Sequence, residues 1–181
     1  CEGLVGSEMC IRDRYYRLFI IAGILLVLDQ ITKILVQHSI PFESSYFDPN
    51  RITVIEDFFY LVHIGNQGAA WGMFSEYSGI LTLLSFAVLL FILCFRKQLE
   101  LHRGTVQIAF GLLIGGILGN LIDRIRVGHV VDFIDIHLPF TLPYILPFGR
   151  WPAFNIADSA IVVGMLFYLL LSLSDTKKKI Q

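Results

Sequence analysis

Residues 105–124 read TVQIAFGLLIGGILGNLIDR, a nearly uncharged run that closes on Asn120, Asp123 and Arg124. It approaches the ~20 residues that cross a ~30 Å hydrocarbon layer as a helix. A helix is the form such a run takes in lipid, because each backbone N–H and C=O must find its partner within the segment. Gly115, Gly116 and Gly119 form a small-residue stripe that lets a second helix approach closely. Outward from this run lie three more apolar segments, at about 18–40, 78–95 and 154–173. Four transmembrane helices are therefore expected, the 78–95 and 105–122 segments being slightly short but almost free of charge.

The composition agrees. Of 181 residues, 55% are hydrophobic and 16% charged, and the mean hydropathy is +0.68, whereas soluble domains carry about 25% charged residues. A core of this size cannot hide so many apolar side chains from water. A soluble domain, a disordered chain and a nucleic-acid binder with a basic face are excluded. Cys1, Cys10 and Cys94 have neither metal-ligand spacing nor the even count of a disulfide framework.

Charge position supplies an orientation. Arg12, Arg14 and Arg17 precede the first segment, Arg96, Lys97 and Arg103 lie between the second and third, and Lys177, Lys178 and Lys179 follow the fourth. Nine of the fourteen basic residues thus fall on one side, which the positive-inside rule makes cytoplasmic. Both termini are expected inside, with the two long connections outside. Residues 1–14, CEGLVGSEMCIRDR, lack an apolar signal-peptide core and read as a non-native or disordered leader; 15–176 read as one membrane domain and 177–181 as a basic tail. In the first outer connection, RITVIEDFFYLVHIG (51–65) is β-branched and aromatic, and a β platform is expected over about 41–75. The second connection contains LPFTLPYILPFGRWP (138–152), whose prolines argue against a fifth spanning helix.

Polar groups at membrane depth cost at least ~2.5 kcal/mol each, so each needs a reason. Asp29 and Lys33 are four apart on one helix face, acid before base, and read as a structural ion pair facing the bundle. Asn120 and Arg124 share a face at the outer end of the third helix, with Asp123 beside them; a solvated helix end is the plain alternative. Asp132 and Asp135 follow in GHVVDFIDIH, and Asn155 and Asp158 open the fourth helix in WPAFNIADSAI. Asn155 suits a helix cap, but capping leaves Asp158 unexplained. Two carboxylates at a half-buried site can share a proton, one serving as general base for water and the other as general acid. Residue types and spacing leave Asp123, Asp132 and Asp135 all open as the partner of Asp158. His129, Asp132, Asp135 and His137 have the residue types of a metal site, yet their spacing matches no metal motif, and neither metal nor cofactor is expected. In HIGNQGAAWGMF (63–74), Asn66 offers a donor and an acceptor to a peptide backbone, and a Gly-rich turn explains the stretch equally well.

Five motifs, in order, resemble bacterial lipoprotein signal peptidase (signal peptidase II): LDQITK at 28–33, NQGAAWG at 66–72, GNLIDR at 119–124, GHVVDFI at 128–134 and PAFNIADSAI at 152–161. The resemblance covers nearly the whole chain from Tyr15 onward. It implies a four-helix bundle under an extracytoplasmic β-cradle in the bacterial cytoplasmic membrane, with the active site near the outer leaflet. It also implies an aspartic endopeptidase that removes signal peptides from diacylglyceryl prolipoproteins just before the lipidated cysteine. Asp132 and Asp158 become the catalytic pair, Asn66, Asn120, Asp123, Arg124 and Asn155 the residues that line the site, and Asp29 and Lys33 a supporting pair. The expected surroundings are membrane lipid and the lipidated precursor, the enzyme acting as a monomer without nucleic acid. Residues 138–149 are longer than the resemblance leads one to expect. A transporter using Asp29, Lys33 and Asp158 as a polar path is the rival reading, and a lipoprotein-binding scaffold without turnover a third.

Overall fold

The computed structural model describes residues 15–44, 49–68, 78–141 and 149–180, with the side chains of 176–180 left out. The expected leader, the later part of the NQGAAWG motif, most of the long 138–149 segment and the basic side chains of the tail lie outside the described residues. Helix α1 spans Tyr16–Ser39, α2 Ser78–Cys94, α3 Gly104–Val127 and α4 Ile156–Ile180; strands β1 (Ile52–Ile55), β2 (Phe59–Asn66) and β3 (Val130–Ile136) form one sheet. Three helices are long and apolar enough to cross a membrane, at Tyr16–Ser39, Gly104–Val127 and Ile156–Asp175; α2 is equally apolar but has 17 residues. Their outward faces carry exposed Phe19, Ile24, Leu83, Leu90, Met165 and Leu169, as lipid-facing surfaces do.

Helix α3 is the central element, flanked most closely by α1 and α4. The glycine stripe sets those approaches. A Cβ on Gly115 would stand 2.9 Å from the Ala22 carbonyl oxygen of α1, and one on Gly116 would stand 2.5 Å from the Ala157 carbonyl oxygen of α4. Backbone cannot yield there as a flexible side chain would. Gly116→Ala is expected to destabilise the protein by about 1–3 kcal/mol through overpacking, seen as an earlier thermal transition in detergent.

Three helix ends differ from the expected bounds. Helix α3 continues past residue 122 to Val127 because Asn120 and Asp123 turn inward to protein partners instead of meeting water. It stops only at Gly128, whose φ of 80° is left-handed and whose N–H caps the Arg124 carbonyl. Helix α4 starts at Ile156 because Phe154 is held in extended pairing with Ile134, and it runs on past 173 with no Gly or Pro to break it.

The sheet is antiparallel in the order β1-β2-β3. Its third strand comes from the connection after α3, so the platform extends beyond the 41–75 stretch expected. The reason lies in burial: Val130, Val131, Asp132 and Phe133 are all buried, so β3 lacks the apolar/polar alternation by which a half-exposed strand is recognised. Val131 and Phe133 pack on Val36 and Ile40, fixing β3 to the end of α1.

Candidate active site

The first turn of α4 is built by its own sequence. Asn155 Oδ1 accepts the Asp158 N–H at 2.9 Å, and Asp158 Oδ2 accepts the Asn155 N–H at 3.2 Å. This is a reciprocal capping box, with Asp in the place usually held by Glu or Gln. It pins the Asp158 carboxylate at the helix entrance, and Asn120 Nδ2 donates to its Oδ1 at 2.7 Å.

Asp132 comes to the same place from β3. Asn155 Nδ2 donates to its Oδ1 at 2.7 Å, and Asn66 Nδ2 donates to its Oδ2 at 2.8 Å. Asn66 pairs with Val130 in the ladder, so Asp132 is its diagonal neighbour across the sheet. One residue, Asn155, therefore bonds both carboxylates, that of Asp132 through its side-chain amide nitrogen and that of Asp158 through its backbone N–H. Asp135, three residues along the strand, points to the other face. It pairs with Arg150 Nε at 2.9 Å and His137 Nε2 at 3.2 Å, away from Asp158. Asp123 is also committed elsewhere, to Lys33 and to the Val131 N–H.

Beneath the pair lies a buried charge cluster. Lys33 Nζ donates to Asp29 at 2.9 Å, Asp123 at 2.8 Å and Asn120 Oδ1 at 2.9 Å, so its three protons are matched. Lys33, Asp29 and Asp123 are all fully buried. Gln30, which the sequence reading passed over, donates to Asp123 Oδ1 at 3.1 Å and to the Gly119 carbonyl at 3.2 Å. Its only sequence signal was a second polar residue within an apolar helix, directly beside Asp29.

Burial, and next the negative charge of Asp158, push the Asp132 carboxyl up to about 7; the bonds from Asn66 and Asn155 work the other way. A cavity of about 500 Å³ opens beside the pair. Asn66, Asn120, Arg124 and Asp158 form its polar wall, and Val130, Trp151, Phe154, Ile161 and Val162 are among its apolar lining. Arg124 gives one N–H to the Gly68 carbonyl at 3.4 Å, while its buried Nε has no hydrogen-bond partner among the described residues. His129 packs against Phe42, and no three His, Cys, Asp or Glu side chains among the described residues are grouped to hold a metal ion.

Comparison with known proteins then decides the family. The family profile described as Signal peptidase (SPase) II matches residues 21–174. The chain belongs to the signal peptidase II family. Among its relatives, the lipoprotein signal peptidase of Aeromonas hydrophila is 38% identical, over 88% of this chain and 89% of its own. That of Halothermothrix orenii is 35% identical, over 84% and 92%. A solved bacterial membrane enzyme, obtained by the in meso method at 2.3 Å resolution, superposes with a TM-score of 0.75 at 30% identity over 90% of both chains. This signal peptidase II member is thus a bacterial membrane protease, and every residue of the cluster described above falls within the matched span.

Proposed function

We propose that the protein is an aspartic endopeptidase that removes the signal peptide from diacylglyceryl-modified prolipoproteins, cleaving just before the lipidated cysteine. The observation that carries this reading is the double contact of Asn155, whose side-chain amide donates to Asp132 and whose backbone N–H donates to the Asp158 carboxylate, beside a largely apolar cavity that Asp158 lines. Such a pair holds one proton between two carboxyls. The ionised member takes a proton from water, the protonated member gives one to the scissile carbonyl oxygen, and the tetrahedral diol collapses as the leaving amine is protonated. Arg124 and Asn66, which line the cavity, would meet the peptide backbone in this scheme, and the apolar wall suits acyl chains. The proposal takes α2 as a fourth crossing, since its 17 residues rise ~26 Å. Both termini are then cytoplasmic and the sheet extracytoplasmic, which brings the site to the outer leaflet where a lipidated precursor is anchored. No cofactor and no second subunit enter the scheme.

The reading is tested by cleavage of a synthetic diacylglyceryl precursor peptide, with the unlipidated peptide as control. Turnover of the lipidated peptide alone is expected; binding without turnover would favour a scaffold instead. The pH profile is a further expectation. Above about 7 the pair loses its shared proton, so kcat/KM falls on the alkaline side as one group ionises. Asn66→Ala removes a bond that favours the charged carboxylate and is expected to move that alkaline limb to higher pH. The same shift has a sign in stability. Folding raises the Asp132 carboxyl from 3.8 to about 7, so within that window the folded chain holds a proton the unfolded chain releases. Stability therefore declines as pH rises through it.

A further inference from the structure

The mechanism leaves Asp29 without a use, although it is fully buried in the middle of α1. Its Oδ2 faces Lys33, but its Oδ1 accepts the backbone N–H of Ala157 at 3.0 Å, from a helix 128 residues away in sequence. Ala157 is the second residue of α4, one of the early N–H donors that have no partner inside their own helix. Local sequence serves the neighbouring donors: Asn155 Oδ1 takes the Asp158 N–H, and Asp158 takes the Asn155 N–H. The Ala157 N–H is met from another helix.

The depth of this contact explains why. Asp29 lies ten residues before the end of α1, about 15 Å along its axis. The entrance of α4 is therefore sunk well below the end of α1, and Ala157 there is fully buried, so water does not satisfy its N–H. A carboxylate there bonds the orphan donor and lies at the positive end of the helix dipole. Gly119 makes room for it, since a Cβ at that position would stand 2.5 Å from Asp29 Oδ2 and 3.3 Å from the Ala157 Cβ.

We infer that Asp29 is a positioning residue for the reaction, capping α4 from α1 so that the first turn holds the Asp158 carboxylate against its partner. The inference rests on the proposed role of Asp158. Lys33 then has a second purpose beyond charge balance: with Gln30 it fixes the rotamer of Asp29. Asn at position 29 keeps an oxygen for the Ala157 N–H and loses the charge, whereas the near-isosteric Leu loses both. This separates capping from ion pairing.

The test compares wild-type protein, Asp29→Asn and Asp29→Leu in detergent by two measurements. In cleavage of the diacylglyceryl precursor peptide, Asp29→Leu is expected to lose about 100-fold in kcat with KM within about twofold, as a misplaced catalytic group does, and Asp29→Asn less than about tenfold. In amide exchange, peptides covering residues 153–160 are expected to exchange faster in Asp29→Leu and close to wild type in Asp29→Asn. Equal losses in the two variants would overturn the inference, leaving the charge as the role of Asp29, and so would wild-type turnover or wild-type exchange in Asp29→Leu. If Asp29→Leu does not fold, Gly119→Ala, whose Cβ presses on Asp29, replaces it and must show the same exchange change. Failure of wild-type protein to cut the peptide would instead count against the proposed function, and the exchange measurement judges the cap either way.

Discussion

Asp158→Asn is expected to lower kcat/KM for a lipidated precursor by about 10³–10⁴-fold, because it removes one half of an acid–base pair whose whole contribution is proton transfer. The fold should survive. Asn at 158 keeps an oxygen that can accept the Asn155 N–H or the Asn120 amide, so the capping box is weakened by one bond and not emptied. Asp132→Asn should do comparable kinetic damage at a similar structural cost. Both oxygens of Asp132 accept from amide nitrogens, one of Asn66 and one of Asn155. An Asn there has one oxygen, so one amide must face another amide. The check is kinetic, with thermal unfolding measured on the same preparations. Full turnover by either variant in its folded state would remove the pair from the mechanism. Losing both side chains together should cost little more than losing one, because the two act as a unit.

What the sequence made legible, and what it hid, follows from which signals are local. The apolar runs and the capping residue Asn155 were legible because helix length and caps are read from neighbours in the chain. The choice among Asp123, Asp132 and Asp135 was not, because it depends on partners distant in sequence. Strand β3 turns Asp132 and Asp135 to opposite faces, but β3 is buried on both and so shows no alternation to reveal it. Asp123 looked like a solvated helix end because nothing nearby announces Lys33, which reaches it from α1. The partner Gln30 finds in α3 and the cap from Asp29 to Ala157 were invisible for the same reason: each acts across helices. The family resemblance selected Asp132 as the partner of Asp158. In the geometry, Asp132 and Asp158 are the two carboxylates bonded to Asn155, one through its side-chain amide and one through its backbone N–H, while Asp123 and Asp135 are bonded elsewhere.

Lys33→Met should be strongly destabilising. Lys33 is fully buried, and its ammonium is the shared partner of Asp29 and Asp123, both also fully buried. Met fills much the same volume, so little of the effect is packing. What remains is two carboxylates facing each other without their cation, and breaking a buried ion pair from one side costs about 3–5 kcal/mol. The loss should reach the active site as well, because Asn120 Oδ1 gives up its bond to Lys33 while its amide still holds Asp158. Thermal unfolding in detergent would read the first effect. The second would appear as a fall in kcat in whatever folded fraction remains. Neutralising one carboxylate should recover part of the stability, so Lys33→Met with Asp123→Asn is expected to unfold at a higher temperature than Lys33→Met alone. This experiment also separates a protease from a transporter that uses Asp29 and Lys33 as a path. A path needs groups that exchange partners with water or a moving ion, whereas here three ammonium protons meet three fixed acceptors at 2.8–2.9 Å in full burial. If these residues are scaffold, the double variant recovers cleavage in step with its folded fraction, short of the part lost with the Lys33–Asn120 bond. If they are the path, stability returns and function does not.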